Sequence, residues 1–475
     1  MANVKIKING KSVTVPEGTT ILEAARKKGV YIPTLCAYES LKPKAACKLC
    51  MVNVKGEDKE KLACAVRATD GMVITTDSDE LFAKRKALVE EMFRQHTVDC
   101  HHCMRIGSTL AKDFDPKFCK DCYFCDCVKD GFCELQALAK EYKVDVLPFT
   151  QKHNERCADD SSVIVRNPNK CVKCKRCVDV CGEVQTVHNL CAAGRGSGVM
   201  IGPAFGKSMA ESECIGCGRC VEVCPTGAIF AQEHKDELVY YAHREGIATV
   251  AQVSAALIPE LERLLKVEPG TVTMEEIAGG LKKIGIDHVL CASAATERAK
   301  REAEALLDKN LGKAPLILSN NYAAQKFLTR NFPELQEHFL FYPTELQAFA
   351  ALAAEKYPGA KRFAFGPVGS DAAEAAETGR ADIAVNAREL YRIMQRTGAE
   401  PNPKRVAELE EKADRSESKY GRLLERLLWN MEREPERLTV TVSGKQLRCA
   451  LCHNPGQARK ALTELERYDV IRVIA

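Results

Sequence analysis

The chain has 475 residues, with 69 basic and 65 acidic side chains and a net charge of +4. That balance, with no basic block interleaved with aromatics, excludes nucleic acid as an expected partner. With no leading apolar segment and no run of about 18 apolar residues, the sequence predicts a cytoplasmic protein that does not span a membrane. Of 24 cysteines, 21 precede residue 225, and most stand in C-x2-C groups. Such groups suit metal ligation in a reducing compartment better than disulfides.

At about 100 to 200 residues per domain, the length suggests three to five domains. The first begins with VKIKINGKSVTV, which alternates apolar and polar residues around Asn9-Gly10 and predicts a hairpin. Thr20 and Glu23 then form a capping box ahead of an amphipathic helix, ILEAARKKG. Strand, strand, helix, then Cys36, is a β-grasp order. Cys36, Cys47, Cys50 and Cys64 follow one another as C-x10-C-x2-C-x13-C, four thiolates on irregular loops of the kind a 2Fe-2S cluster requires. A structural zinc is the alternative at these four positions.

A predicted helix over 79–95 ends at HTVDCHHC. There His96, Cys100 and Cys103 are spaced to bring an imidazole and two thiolates to one metal centre, and Cys133 opens the next helix. A neutral imidazole in place of a thiolate removes a negative charge and should raise the reduction potential. His101 and His102 read as solvated residues.

Next come two C-x2-C-x2-C-x3-C motifs, Cys171, Cys174, Cys177, Cys181 and Cys214, Cys217, Cys220, Cys224. In this pattern the fourth cysteine ligates the other cluster. Cys224 is therefore expected with Cys171, Cys174 and Cys177 on one 4Fe-4S cluster, and Cys181 with Cys214, Cys217 and Cys220 on the second. The glycine-rich AAGRGSGVMIG between the motifs reads as a loop. Residues 247–400 alternate strand-like and helical runs, as an α/β domain does. Residues 403–437 read as a charged surface helix pair, and the final segment as strand, helix, strand. Cys157, Cys191 and Cys291 read as ordinary buried residues, while Cys449, Cys452 and His453 in CALCHN could join ligands from elsewhere.

This ordered series resembles the N-terminal half of the large iron–sulfur subunit of respiratory complex I. It equally resembles the α subunit of NADH-linked, electron-bifurcating FeFe hydrogenases. The stretch TVAQVSAALIPELERLLKVEPGTVTMEEIAGGLKKIGIDHVL then looks like the start of the FeFe-hydrogenase catalytic domain, a likeness that continues faintly to the C-terminus. The resemblance implies a multidomain α+β and α/β architecture. Its parts are a β-grasp 2Fe-2S ferredoxin over 1–80, a 4Fe-4S domain with one histidine and three cysteine ligands over 81–155, a double 4Fe-4S ferredoxin over 156–232 and a hydrogenase-like domain over 233–475. It implies that His96, Cys100, Cys103 and Cys133 hold a 4Fe-4S cluster, three such clusters in all.

The family's catalytic domain binds its H-cluster through three cysteine motifs, and this chain departs from all of them. LSNNYAA stands where the family has TSCCPGW, with Asn320 and Asn321 for the cysteines. Val368 in FGPV falls at the cysteine of MPC, and MACPGGC would follow YDVIRVIA. Neither an amide nor an isopropyl group supplies a thiolate to iron. The expectation is a retained fold without a catalytic site of its own.

A second departure is an insertion, residues 108–132, between Cys103 and Cys133. Cys119, Cys122, Cys125 and Cys127 all lie in it and form a set of four. A segment too short for its own core needs a metal to hold it, either a further Fe-S cluster or a zinc. In a competing register Cys127 takes the role of Cys103, because CVKDGFC also spaces its cysteines by five residues.

The resemblance further implies a partner that binds flavin and NADH, since no G-x-G-x-x-G loop opens a helix here. A small 2Fe-2S subunit, ferredoxin and a separate hydrogenase or dehydrogenase module are the other implied partners. Two functions compete: an electron relay without substrate chemistry, and a catalytic subunit, related to hydrogenases or formate dehydrogenases, with an altered active site.

Overall fold

The structure is a computed structural model that describes residues 2–38, 41–96, 127–129, 132–145, 159–312, 315–366, 369–413, 417–424 and 431–475. At the N-terminus, Asn3–Ile8 and Lys11–Pro16 pair antiparallel around Asn9 and Gly10, both left-handed at φ 48° and 79°, as a tight two-residue hairpin turn demands. Val73–Thr75 joins Asn3–Ile8 in parallel, and Met51–Val54 and Lys61–Leu62 complete a five-stranded sheet. Alternation puts Ile6, Ile8, Val13 and Val15 inward, where they meet Ile21 and Val52 in one core. The helix Ile21–Lys27 is started by the expected capping box: Glu23 N donates to Thr20 Oγ1 at 3.2 Å, and Thr20 N donates to Glu23 Oε2 at 2.8 Å.

The helix Asp79–Phe93, capped by Ser78, packs on the helix Glu134–Glu141, whose N-cap is Cys133. The apolar cluster between them takes in Leu35, Leu49, Val89, Phe93, Leu135 and Leu138. Two short antiparallel ladders follow, Ile164–Arg166 with Ile229–Ala231 and Leu190–Ala193 with Met200–Pro203; Gly194, Gly196 and Gly198 connect the latter pair, so AAGRGSGVMIG is a loop only in its middle and its ends are strand. The helices Arg176–Asp179 and Arg219–Val223 each start from a left-handed residue, Lys175 and Gly218.

Beyond residue 247 lie two sheets. The first is parallel and holds Thr249–Val253, His288–Leu290, Lys361–Gly366 and Ile383–Asn386. The second pairs Leu316–Ser319 with Phe339–Phe341 and Val470–Val473 in parallel, then adds Lys445–Cys452 and Glu436–Val442. Parallel strands buried on both faces explain why VAQV and LILS do not alternate, with Gln252 and Ser319 buried alongside their apolar neighbours.

Two expectations about the C-terminal part are corrected. Among the described residues of 403–437 there is no helix pair, only a short turn at Gly421–Leu423. Residues around Glu410 run instead along the edge strand His288–Leu290: Glu410 N donates to Val289 O and Cys291 N to Glu410 O, at 2.9 and 2.8 Å. An open sheet edge satisfies this backbone, so the helical spacing of charges is overridden. The final segment has an additional strand. Glu436–Val442 and Lys445–Cys452 form a hairpin turned at Ser443-Gly444, and the helix Pro455–Leu462 and strand Val470–Val473 come after it.

Candidate iron–sulfur sites and the altered pocket

Cys36, Cys47, Cys50 and Cys64 are all buried, on loops that curl through left-handed Ala45 and Lys48. Their thiols stand as two hydrogen-bonded pairs, Cys36 with Cys47 and Cys50 with Cys64. In each pair the shared proton holds one thiol, Cys36 and Cys64, below the usual range and pushes its partner up. Four buried thiols gathered in two pairs are a donor set that a diiron core fits, since iron takes the place of the thiol protons and neutralises the thiolates.

The ferredoxin cysteines gather in two cavities. Cys171, Cys174, Cys177 and Cys224 line one, and Cys181, Cys214, Cys217 and Cys220 line the other. The crossing arises because the strand Ile229–Ala231 lies against Ile164–Arg166, which folds the end of the second motif back onto the start of the first. Burial pushes the Cys174 and Cys217 thiols up to about 12. Backbone N–H groups aim at sulfur in both cavities, Lys173 N at Cys171 Sγ and Gly216 N at Cys214 Sγ, each at 3.4 Å. Thiolates buried this way need a compensating cation, so both cavities fit a cubane.

His96 is buried, and its Nδ1 is 3.0 Å from the carbonyl oxygen of Lys170, the residue before Cys171. A carbonyl only accepts, so Nδ1 carries a proton, which in the neutral ring leaves the lone pair on Nε2. Cys133 is buried at the N-cap of its helix, which pushes its thiol up to about 11. Cys127 lies with its Sγ 3.8 Å from Lys170 Nζ. Cys100, Cys103, Cys119, Cys122, Cys125 and Cys157 lie outside the described residues, as does Val368.

One arginine, not singled out in the sequence, ties these sites together. Arg176, between Cys174 and Cys177, is 3% exposed and donates to both carboxylate oxygens of Glu134, at 2.6 and 2.8 Å. It also donates to the carbonyl of Ala37 at 3.3 Å and lies 5.1 Å from the Tyr38 ring centroid. Glu134 follows Cys133 and Ala37 follows Cys36, so three cysteine-bearing segments meet on one guanidinium. Its only signal in the sequence is a basic residue inside a ligand motif. Arg176→Met should weaken this junction by about 1–3 kcal/mol, less than for a fully buried pair because Glu134 can rehydrate. The check is denaturant-induced bleaching of the visible cluster absorbance; an unchanged midpoint would show that the junction stands without Arg176.

In the second C-terminal sheet, Asn320 and Asn321 follow Leu316–Ser319. Asn321 Oδ1 accepts from Ala324 N at 3.0 Å and caps the helix Tyr322–Asn331. Asn320 Oδ1 is 3.5 Å from Nη2 of Arg472, a residue 1% exposed whose Nη1 donates to Leu423 O at 2.9 Å. The loop of Cys214 to Cys220 abuts this region. A Cβ on Gly369, at φ +125°, would come within 2.4 Å of Cys217 O, and Arg219 Nη2 reaches Ala475 O at 3.5 Å. Cys449 and Cys452 are buried on opposite faces of their strand, Cys449 with Leu447 and Leu451 and Cys452 with Ala450, so they do not form a pair. His453 Nε2 is 3.5 Å from Glu436. Cys191 and Cys291 are half-buried rather than buried.

The fold and donor sets define a multidomain iron–sulfur protein. The 2Fe-2S iron-sulfur cluster binding domain matches residues 1–79, the 4Fe-4S binding domain residues 210–230, and the C-terminal domain of the iron only hydrogenase large subunit residues 247–471. The chain is homologous to the iron–sulfur subunits of NAD(P)-linked, hydrogenase-like complexes. It is 30% identical to HndD, a subunit of the NADP-reducing hydrogenase of Solidesulfovibrio fructosivorans, over 75% of this chain and 60% of that protein. It is 28% identical to the mitochondrial NADH-ubiquinone oxidoreductase 78 kDa subunit of Neurospora crassa, over 44% of this chain and 25% of that one. It is also 32% identical to the gamma subunit of the NAD-reducing hydrogenase HoxS of Cupriavidus necator, over 37% of this chain and 65% of that one. The chain therefore spans less than two thirds of each of these relatives. Among the described residues no helix is long and apolar enough to cross a membrane.

Proposed function

We propose that the protein is an electron-relay subunit of an NADH-linked oxidoreductase complex. It would carry electrons between a flavin/NADH subunit and ferredoxin or a separate catalytic module such as a NiFe hydrogenase. Bound clusters would supply one-electron redox chemistry; the chain would hold them in thiol-lined cavities and fix the segments that carry them. The observation that carries this reading is the junction at Arg176, which joins the Cys36, Cys133 and Cys174 segments in one apolar cluster. Contiguity of that kind suits electron passage, whereas separate structural metals would not need it. Among relatives, one is named as a subunit of an NADP-reducing and another of an NAD-reducing hydrogenase, which supports a nicotinamide-linked complex. Electron bifurcation, and a small 2Fe-2S subunit as a further partner, belong to the same proposal.

The test is anaerobic purification from the native cell under mild conditions. The protein should co-purify with a flavoprotein, and NADH should bleach its cluster absorbance only when that flavoprotein is present. Reduction by NADH of the chain alone would refute the partner.

A further inference from the structure

We infer that Cys127 ligates the same iron centre as His96 and Cys133, so that it is not the fourth ligand of a separate site in the insertion. The inference rests on the reading above that His96 belongs to an iron–sulfur cluster. Its basis is a single residue that holds two of the groups. The carbonyl of Lys170 faces His96 Nδ1 at 3.0 Å and accepts from Thr226 Oγ1 at 2.7 Å, while its ammonium lies 3.8 Å from Cys127 Sγ. Lys170 is 6% exposed, and its backbone is pinned by Asn167 in the turn that leads into Cys171. His96 and Cys127, far apart in the chain, are thus seated on opposite ends of one buried side chain and backbone.

The turn after Cys127 leads to Cys133. Arg388 Nη2 donates to the Cys127 carbonyl at 3.0 Å, and Phe132 N donates to Lys129 O at 2.9 Å, closing the turn. Val128 and Lys129 pack so tightly on Gly227 that a Cβ there would meet both at 2.9 Å. Cys133 is in turn held by its helix and by Glu134 N, which donates to Pro225 O at 2.9 Å. Both ends of the turn are therefore anchored on the segment around Thr226. Ligation exchanges the Cys127 thiol proton, released to solvent, for an Fe–S bond, and the Lys170 ammonium offsets the thiolate charge.

Imidazole ligation gives a direct readout, because a reduced cubane bound by His96 shows hyperfine coupling to an imidazole nitrogen. The full chain, loaded anaerobically with iron and sulfide, is compared as wild type, Cys127→Ser and Cys119→Ser. Cys127→Ser should lose the nitrogen-coupled signal while the 2Fe-2S signal persists, and Cys119→Ser should keep both. A nitrogen-coupled signal that survives unchanged in Cys127→Ser overturns the assignment. Should Cys127→Ser lose the 2Fe-2S signal as well, selenocysteine introduced at position 127 decides. Selenium-77 coupling on the nitrogen-coupled signal supports ligation, and its absence there overturns it. A wild-type protein with no nitrogen-coupled signal at all would instead remove the His96 cluster, and with it this assignment.

Discussion

Cys224→Ser should cost the protein the cluster of the first ferredoxin motif and spare that of its own. Full loading of one 2Fe-2S and three 4Fe-4S clusters corresponds to about 14 irons, so the loss should be about 4. The paramagnetic signal that disappears should match that lost in Cys174→Ser, because Cys224 shares a cavity with Cys171, Cys174 and Cys177. By the same geometry Cys181→Ser should match Cys217→Ser. The effect is large because these thiols are buried. A serine hydroxyl is a poor ligand to iron, and its neighbours cannot remain thiolates in an apolar cavity without the cluster charge. If Cys224→Ser matched Cys217→Ser instead, the ligands would not be crossed.

The isolated chain should neither evolve nor consume hydrogen, even after exposure to hydrogenase maturation factors. Turnover should fall to background, because an amide binds iron poorly and both amides are engaged elsewhere. Asn321 caps a helix, and Asn320 faces the guanidinium of Arg472. Restoring the thiols as Asn320→Cys and Asn321→Cys should not bring activity back. It removes a helix cap at a cost of about 1 kcal/mol and still leaves Val368 where the family's second motif has its cysteine. Gas chromatography with reduced methyl viologen is the check. Hydrogen evolution above background from the isolated wild-type chain would favour the alternative of a catalytic subunit with an altered site.

Much of the candidate donor set was legible in the chain because ligand spacing is locally encoded. A C-x2-C-x2-C run can wrap a cluster only one way, and the Asn9-Gly10 turn and the Thr20/Glu23 cap are fixed by a few consecutive residues. The loss of both thiols at 320 and 321 could also be read directly. What replaced them could not, since Arg472 reaches Asn320 only because Val470–Val473 and Leu316–Ser319 are neighbouring strands.

The same limit explains the remaining surprises. The charged stretch 403–437 has helical spacing, yet periodicity carries no information about an open sheet edge that offers hydrogen bonds to its backbone. Cys449 and Cys452 look like a ligand pair until strand alternation sends them to opposite faces. Arg176 and Lys170 look like ordinary basic residues beside cysteines. Their partners, Glu134, Ala37, His96 and Cys127, lie 42 to 139 positions away. The sequence by itself determined which donors exist and the spacing between them. Only the tertiary structure decided which segments share a junction, because an ion pair over that separation forms after the chain has closed long loops around several cores.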